Sequence, residues 1–200
     1  LELGVKRIVF GECGHAWRVA YSFLTTLAGP WDFLDPNYPV PQHICAVTDD
    51  LIQRGALKLD PEANDHMKLT FHDSCNVARA ARIGGYAGGQ FEIPRRIIQS
   101  VCNHYVEMPC ETTKDRTFCC GGGGGLLTDE ITELRVKGAR PRMEALNNVV
   151  ENEGVTHMAA ICAICKTQFG KVLPYYNMDM DMIVSAHQLV SNAIQLGAKE

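Results

Sequence analysis

The sequence predicts an α/β protein with open parallel sheets flanked by helices, arranged as two related repeat units of which the first is incomplete. Three observations carry this expectation. Short apolar and β-branched runs recur, each followed by a loop and then by residues at helical spacing, the alternation of parallel strands with crossover helices. Cysteines stand just after those runs, where strands should end. Finally, GVKRIVFGECGHAWRVA (4–20) parallels GVTHMAAICAICKTQFG (154–170): each is a strand running into a cysteine and then a helix.

Taken in order, RIVFG (7–11), KLTFH (68–72) and THMAAI (156–161) read as strands, with YVEMP (105–109) a weaker fourth. Helical spacing covers 15–28, 42–55, 91–103, 129–152, 165–173 and 185–197. In the last of these Ile183, Ala186, Leu189, Val190, Ala193 and Ile194 form one apolar stripe. Gly138 and Pro141 predict a kink or break inside 129–152, with Pro141 near the first turn of a second piece. The four prolines of 28–41 mark a loop. The polar stretch 58–68 lacks periodicity and is the expected boundary. The parallel extends to PQHICAVTDDLIQRGAL (41–57) and VSAHQLVSNAIQLGA (184–198), matching Cys13 with Cys162 and His43 with His187, while Ala16 stands where Cys165 would be. Residues 1–60 thus read as the degenerate back half of a first repeat, and 64–200 as a complete unit.

Composition narrows the function. A hydrophobic share of 46% and a charged share of 21% suit a globular chain with a real core, and a net charge of −4 gives no general affinity for nucleic acid or anionic membrane. No uncharged apolar run approaches the roughly 18 residues of a membrane span, and no signal peptide is present. The chain opens on Leu1, in what reads like the middle of a domain, so a piece of something longer is expected. Nine cysteines, an odd number without a secretory signal, favour metal or redox chemistry in a reducing compartment over a disulfide framework.

Five of them stand at strand ends or on glycine-rich loops: Cys75, Cys119, Cys120, Cys162 and Cys165. Ligand sites in open α/β sheets gather at the carboxyl ends of strands, so these thiols can converge from three loops. One zinc takes four ligands, and five exceed that need. Neighbouring residues on an extended chain point opposite ways, so Cys119 and Cys120 reach different atoms more comfortably than one, as a multi-iron cluster offers. Gly121 and Gly122, with the glycines that follow, can take positive φ and bring N–H groups close to an anionic centre. The stretch GGGGGLLTDE lacks the Gly-Lys-Ser/Thr ending of a phosphate loop.

The pattern FHDSC, FCCGGGGG and CAIC resembles the cysteine-rich CCG domain of the heterodisulfide reductase B/D family, whose relatives include iron–sulfur subunits of glycerol-3-phosphate, lactate and glycolate oxidoreductases. GGQFEIPRRIIQSV and LRVKGARPRMEAL also look like the family's helices. The intervals of 43 and 41 residues between the motifs are longer than usual for it. GECGHAWR and HICAVTDDLIQRGAL look most like the DsrK/HmeD branch associated with sulfite reduction. The resemblance implies a noncubane [4Fe–4S] cluster held by Cys75, Cys119, Cys120, Cys162 and Cys165. That cluster would be the catalyst, reducing a heterodisulfide or a protein-bound di- or trisulfide one electron at a time. It also implies partner subunits of a membrane-associated redox complex with cubane iron–sulfur or haem donors, a small sulfur-carrier protein as substrate, and a cytoplasmic place at the inner face of the membrane. Two other readings stand beside it: an electron relay in a 2-hydroxy-acid or glycerol-3-phosphate oxidoreductase, and a zinc-ordered structural module.

The remaining residues have plainer expectations. Cys45 and Cys102 read as small buried hydrophobes, and Cys13 as a structural relic. His72 can hydrogen-bond a cluster sulfur or move a proton, though a strand-end histidine is more often structural. Lys166 can depress the neighbouring thiol's pKa, with solvation as the plainer reading. Arg79, Arg82, Arg95 and Arg96 read as a solvated helix face or a docking face for an acidic partner. His43 and His187 read as caps or packing residues.

Overall fold

The computed structural model describes residues 3–28, 41–83, 86–87 and 90–196. RIVFG forms strand β1 (Ile8–Phe10), followed by helix α1 (Gly14–Ala28). Most of the proline-rich stretch 28–41 lies outside the described residues. Beyond it come β2 (Pro41–His43) and α2 (Ile44–Gln53). β1 and β2 pair in parallel as their own two-stranded sheet, Phe10 opposite His43. The sequence pattern does not mark β2, which has no β-branched residue and opens on a proline. His43 caps α2 as expected, its Nδ1 accepting the N–H of Cys45 at 3.2 Å. Residues 58–68 run as turns anchored to the second unit: fully buried Asn64 donates to the carbonyls of Val101 and Leu189.

The second unit begins with β3 (Leu69–His72), buried at every position as a strand covered on both faces must be. A short antiparallel hairpin, β4 (Arg82–Ile83) and β5 (Tyr86–Ala87), then leads to α3 (Glu92–Gln99). YVEMP does not become a strand. Tyr105 makes one isolated parallel bridge with Leu69, and Pro109, lacking a donor, cannot prolong it. Helix α4 (Thr132–Glu153) precedes β6 (His157–Ala160) and α5 (Ala163–Val172), and the chain closes with β7 (Ile183–Ser185) and α6 (Ala186–Ala193). Ile183 and Ile194 therefore leave the predicted stripe, the first for β7 and the second for a bridge with Leu59. The sheet order is β3-β6-β7, all parallel. The open parallel α/β architecture is the one predicted, and β1-α1-β2-α2 repeats the order β6-α5-β7-α6.

The expected break in α4 does not occur. The helix runs 22 residues through Pro141 and stops at Gly154, which takes φ 69°. An interior proline costs about 3 kcal/mol. Ala139, Met143, Leu146 and Val149 are buried on either side of it, and a fully buried large apolar side chain contributes roughly 1.5–3 kcal/mol, so packing prevails. Gly138 faces the cysteine loop, where a Cβ would make an ordinary 3.7 Å contact with Gly121 Cα.

Two apolar clusters fill the interior. One holds Leu69, Phe71, Ile97, Ile98 and Leu189 with Trp17 and Cys45. The other joins Met143, Leu146, Met158, Phe169 and Leu173 to Cys120, Cys162 and Cys165. Three of the predicted site cysteines are thus part of a core wall.

Candidate metal centre at the strand ends

His72 and Ala160 pair across β3 and β6, so the loops leaving those strands emerge side by side. The first carries Cys75. The second carries Cys162, the residue before α5, and Cys165 in that helix's first turn. The third loop is tied to the first. Thr117 Oγ1 donates to the Asp73 carbonyl at 2.7 Å, and Arg79 Nη1 donates to the Thr117 carbonyl at 2.6 Å. This brings Cys119 and Cys120 between the other two.

The five thiols interact electrostatically in one unbroken line. Cys119 interacts with Cys75 and Cys120, Cys120 with Cys165, and Cys165 with Cys162. Cys120 and Cys75, with N–H groups of Gly121 and Gly123, hold Cys119 far below the usual thiol range against the effect of burial. Cys162 is brought down to about 5 by Cys165 and by backbone donors that include Gly14. The other three thiols are pushed the other way: Cys120 rises to about 12 beside Cys119, and Cys75 rises beside Cys119 and through burial. Cys165 rises through Cys120 and Cys162. Negative charge therefore favours Cys119 and Cys162, each of which has backbone N–H donors.

Gly121 takes the expected positive φ, and Gly122 brings its N–H to a sulfur without it. Gly121 has φ 87°, its N–H donates to Cys119 Sγ at 3.3 Å, and a Cβ there would stand 2.3 Å from the Arg135 carbonyl oxygen. The Gly122 N–H serves Cys120, and a Cβ on it would stand 3.3 Å from that sulfur.

His72 is fully buried against Phe169, ring to edge at 4.8 Å. Burial first, then the charge of Arg142, keeps it neutral, and neither ring nitrogen has a partner among the described residues. Cys45 and Cys102 are buried as expected, and Cys110 is exposed.

The arginine run does not share one environment: Arg82 and Arg96 are exposed, Arg79 is half-buried and Arg95 is buried. Arg95 is buried, grips both oxygens of Asp73 at 2.9 and 2.7 Å and pairs also with Glu107. Arg96 pairs with Asp49, and Arg79 holds the third loop. Lys166 is engaged by Glu12.

Several supporting residues were not marked by the sequence pattern. Gly14 donates its N–H to Cys162 Sγ at 3.4 Å. Glu12 accepts from Lys166, from Ser185 Oγ at 2.7 Å and from His187 Nδ1 at 2.6 Å, joining the first unit to the second. Asp73 also accepts the Lys114 N–H at 2.8 Å. Buried Arg135 and Arg142 lie along α4, Arg142 reaching the Thr112 carbonyl and Thr117 Oγ1. Their spacing of seven, on the face that carries Ala139 and Leu146, is a signal that could have found them.

The donor set is all sulfur, and among the described residues its hydrogen bonds come from backbone N–H groups, with none to a carboxylate or imidazole. Such soft donors suit thiophilic metals and iron–sulfur centres. Among the described residues no three His, Cys, Asp or Glu side chains are placed to hold a single ion. Five separate thiols with N–H donors behind them fit a centre of several metal atoms.

Residues 69–170, which include all five cysteines, match the cysteine-rich domain family model, CCG. The Hdr-like menaquinol oxidoreductase iron-sulfur subunit of Archaeoglobus profundus is 35% identical over 98% of this chain and 39% of its own length. Subunit 2 of that type from Archaeoglobus fulgidus is 34% identical over the same shares. EtfAB:quinone oxidoreductase of Syntrophomonas wolfei is 30% identical over 68% of this chain and 18% of its own. The chain spans about two fifths of the length of the two archaeal relatives. With the matched span ending within α5 and covering every loop of the thiol line, the chain belongs to the cysteine-rich CCG domain family.

Proposed function

We propose that Cys75, Cys119, Cys120, Cys162 and Cys165 hold a noncubane [4Fe–4S] cluster, and that the chain is the iron–sulfur redox part of a larger membrane-associated oxidoreductase. Its reaction is the reduction of a heterodisulfide or a protein-bound di- or trisulfide. The observation that carries this reading is the continuous line of five thiols drawn from three loops at the strand ends. The bound cluster supplies one-electron transfer, used twice for each sulfur–sulfur bond. The chain's own residues do the rest. Cys120, Cys162 and Cys165 are at most 3% exposed, whereas Cys75 and Cys119 are partly open. Water is thus kept from the inner side while the Cys75–Cys119 side is left for substrate. His72 stays neutral and can hold a proton at one ring nitrogen. Residues 1–60 are the back half of a repeat that braces Cys162 through Gly14, and 64–200 are the complete CCG unit. Partner subunits with cubane clusters or haem deliver the electrons at the cytoplasmic face. Attachment to the membrane goes through those partners; among the described residues no helix is long and apolar enough to cross one.

A second reading is supported by the quinone oxidoreductases among the relatives: the cluster only relays electrons. The two separate by substrate. Reduced protein that cleaves a disulfide or trisulfide supports the first; electron transfer without such cleavage supports the relay. The cluster is tested by iron and acid-labile sulfide analysis after anaerobic purification, with EPR of the oxidised, thiol-treated protein. Cys119→Ser abolishes the signal and Cys102→Ser retains it. Zinc without sulfide, or an intact signal in the Cys119 variant, overturns the assignment.

A further inference from the structure

Gln168 is a fully buried side chain on α5, one turn beyond Cys165. Its Oε1 accepts two hydrogen bonds from Arg135, from Nε at 2.9 Å and Nη2 at 2.6 Å. A guanidinium only donates. The two bonds therefore fix which end of the carboxamide is oxygen and leave Nε2 as a donor facing away from Arg135. That donor has no acceptor among the described residues. Native interiors seldom leave a buried amino group unbonded, because it gives up water for nothing.

The surroundings show what an acceptor there would be. A Cβ built on Gly122 would stand 3.3 Å from Cys120 Sγ and 3.5 Å from Gln168 Cβ. Gln168 thus rises beside the paired cysteines and their glycines. Its holder is equally fixed: Arg135 is buried, donates through Nη1 to the Thr128 carbonyl at 2.9 Å, and presses its own carbonyl against Gly121. The clamp and the cysteine loop form one packed unit, so the amino group cannot swing out to solvent. His72 repeats the pattern on the β3 side, with two buried ring nitrogens and no partner among the described residues.

We propose that Gln168, clamped by Arg135, donates a hydrogen bond to sulfur of the centre bound by the five cysteines and thereby raises its reduction potential. This rests on the cluster reading given above. An N–H donor to sulfur favours the more negative, reduced form, one of the ways a protein sets the potential of such a centre.

Two substitutions test it in the complete anaerobic protein. Gln168→Met removes both ends of the amide. Gln168→Glu keeps an oxygen toward Arg135 and replaces the amino group with a second oxygen. EPR-monitored redox titration is expected to give a lower midpoint potential for both than for the wild type. Metal-free Gln168→Glu is expected to melt at the wild-type temperature or above. A wild-type potential in Gln168→Met overturns the proposal and leaves the cluster reading standing; wild-type protein without iron and sulfide overturns both. Should either variant fail to load, the metal-free Gln168→Glu melt decides. An unchanged melt shows that the amino group serves only the bound state, which supports the proposal. A lowered melt shows that it is already bonded in the metal-free fold, which overturns it.

Discussion

Gly14 donates its N–H to Cys162 Sγ although 148 residues separate them in the chain. Ala163 returns the contact, donating to the Glu12 carbonyl at 2.8 Å, so the two strand–helix units grip each other at the cysteines. The approach leaves no room for a side chain. A Cβ on Gly14 would stand 2.9 Å from Asn76 Cβ and 3.2 Å from Cys162 Sγ. Gly14→Ala is expected to cost about 1–3 kcal/mol through overpacking and to weaken metal retention. Gly11→Ala is the control, because a Cβ there meets nothing within 4 Å. Thermal melts and iron content of the two variants check this; equal behaviour would refute it.

The glycines after the cysteine pair are not equivalent. Gly121 combines φ 87° with a Cβ position 2.3 Å from one α4 backbone atom and 2.9 Å from another. Gly123 has φ 51°, and its nearest neighbour is 3.5 Å away on the Leu126 side chain. An alanine at 123 meets only the left-handed penalty of about 1–2 kcal/mol. At 121 it must also push α4 away, for about 1–3 kcal/mol more. Urea denaturation should find Gly121→Ala the more destabilised, and equal midpoints would count against the packing account.

How much of this was legible depends on where each signal lives. Three of the five cysteines follow strands β3 and β6 and two lie on a glycine-rich loop, chemically unusual residues that were legible in the sequence. Strands β1, β3 and β6 carry β-branched or apolar runs and were visible for the same reason. β2, PQH, is held by its parallel partner rather than by propensity, whereas the β-branched Ile183 and Val184 of three-residue β7 merge in the sequence with the apolar stripe of the helix that follows. α4 passes Pro141 because burial on both sides outweighs the local penalty. Arg95 looks like a surface charge until Asp73, 22 residues earlier, is folded against it. Glu12 and Gln168 act through contacts that only the folded chain creates.

That Arg95–Asp73 pair gives a third expectation. Both side chains are at most 5% exposed, and the bond is bidentate. Removing one partner of a buried pair leaves an uncompensated charge and costs about 3–5 kcal/mol. Asp73→Asn is therefore expected to be severely destabilising. It should also free the loop between Asp73 and Cys75, speeding alkylation of Cys75 in the metal-free protein. Arg96→Met, which breaks a pair whose arginine is 46% exposed, should cost no more than about 1 kcal/mol. Similar losses in the two variants would contradict the assignment of Asp73 as the anchor.

Acid should loosen the molecule in two steps, both at the junction of the units. Burial, which lowers the basicity of His43, and the nearby His187 bring its pKa from 6.5 to about 4. The unfolded chain then takes up this proton first, so the contribution is complete above about 6.5 and is lost as the pH falls toward 4. Burial alone would raise Glu12, but His187, Lys166 and Ser185 hold it at about 2 against its ordinary 4.5. Its contribution is complete above about 4.5 and is lost as the pH falls toward 2. Each is worth at most about 3 kcal/mol. Urea midpoints of metal-free protein should therefore begin to fall near pH 6.5. His43→Asn keeps a capping side chain without a titrating one, and should flatten the upper step. Glu12→Gln should flatten the lower step while leaving the upper in place. A wild-type midpoint constant from pH 7 to 4.5, or an upper step that survives His43→Asn, would remove His43 as the source.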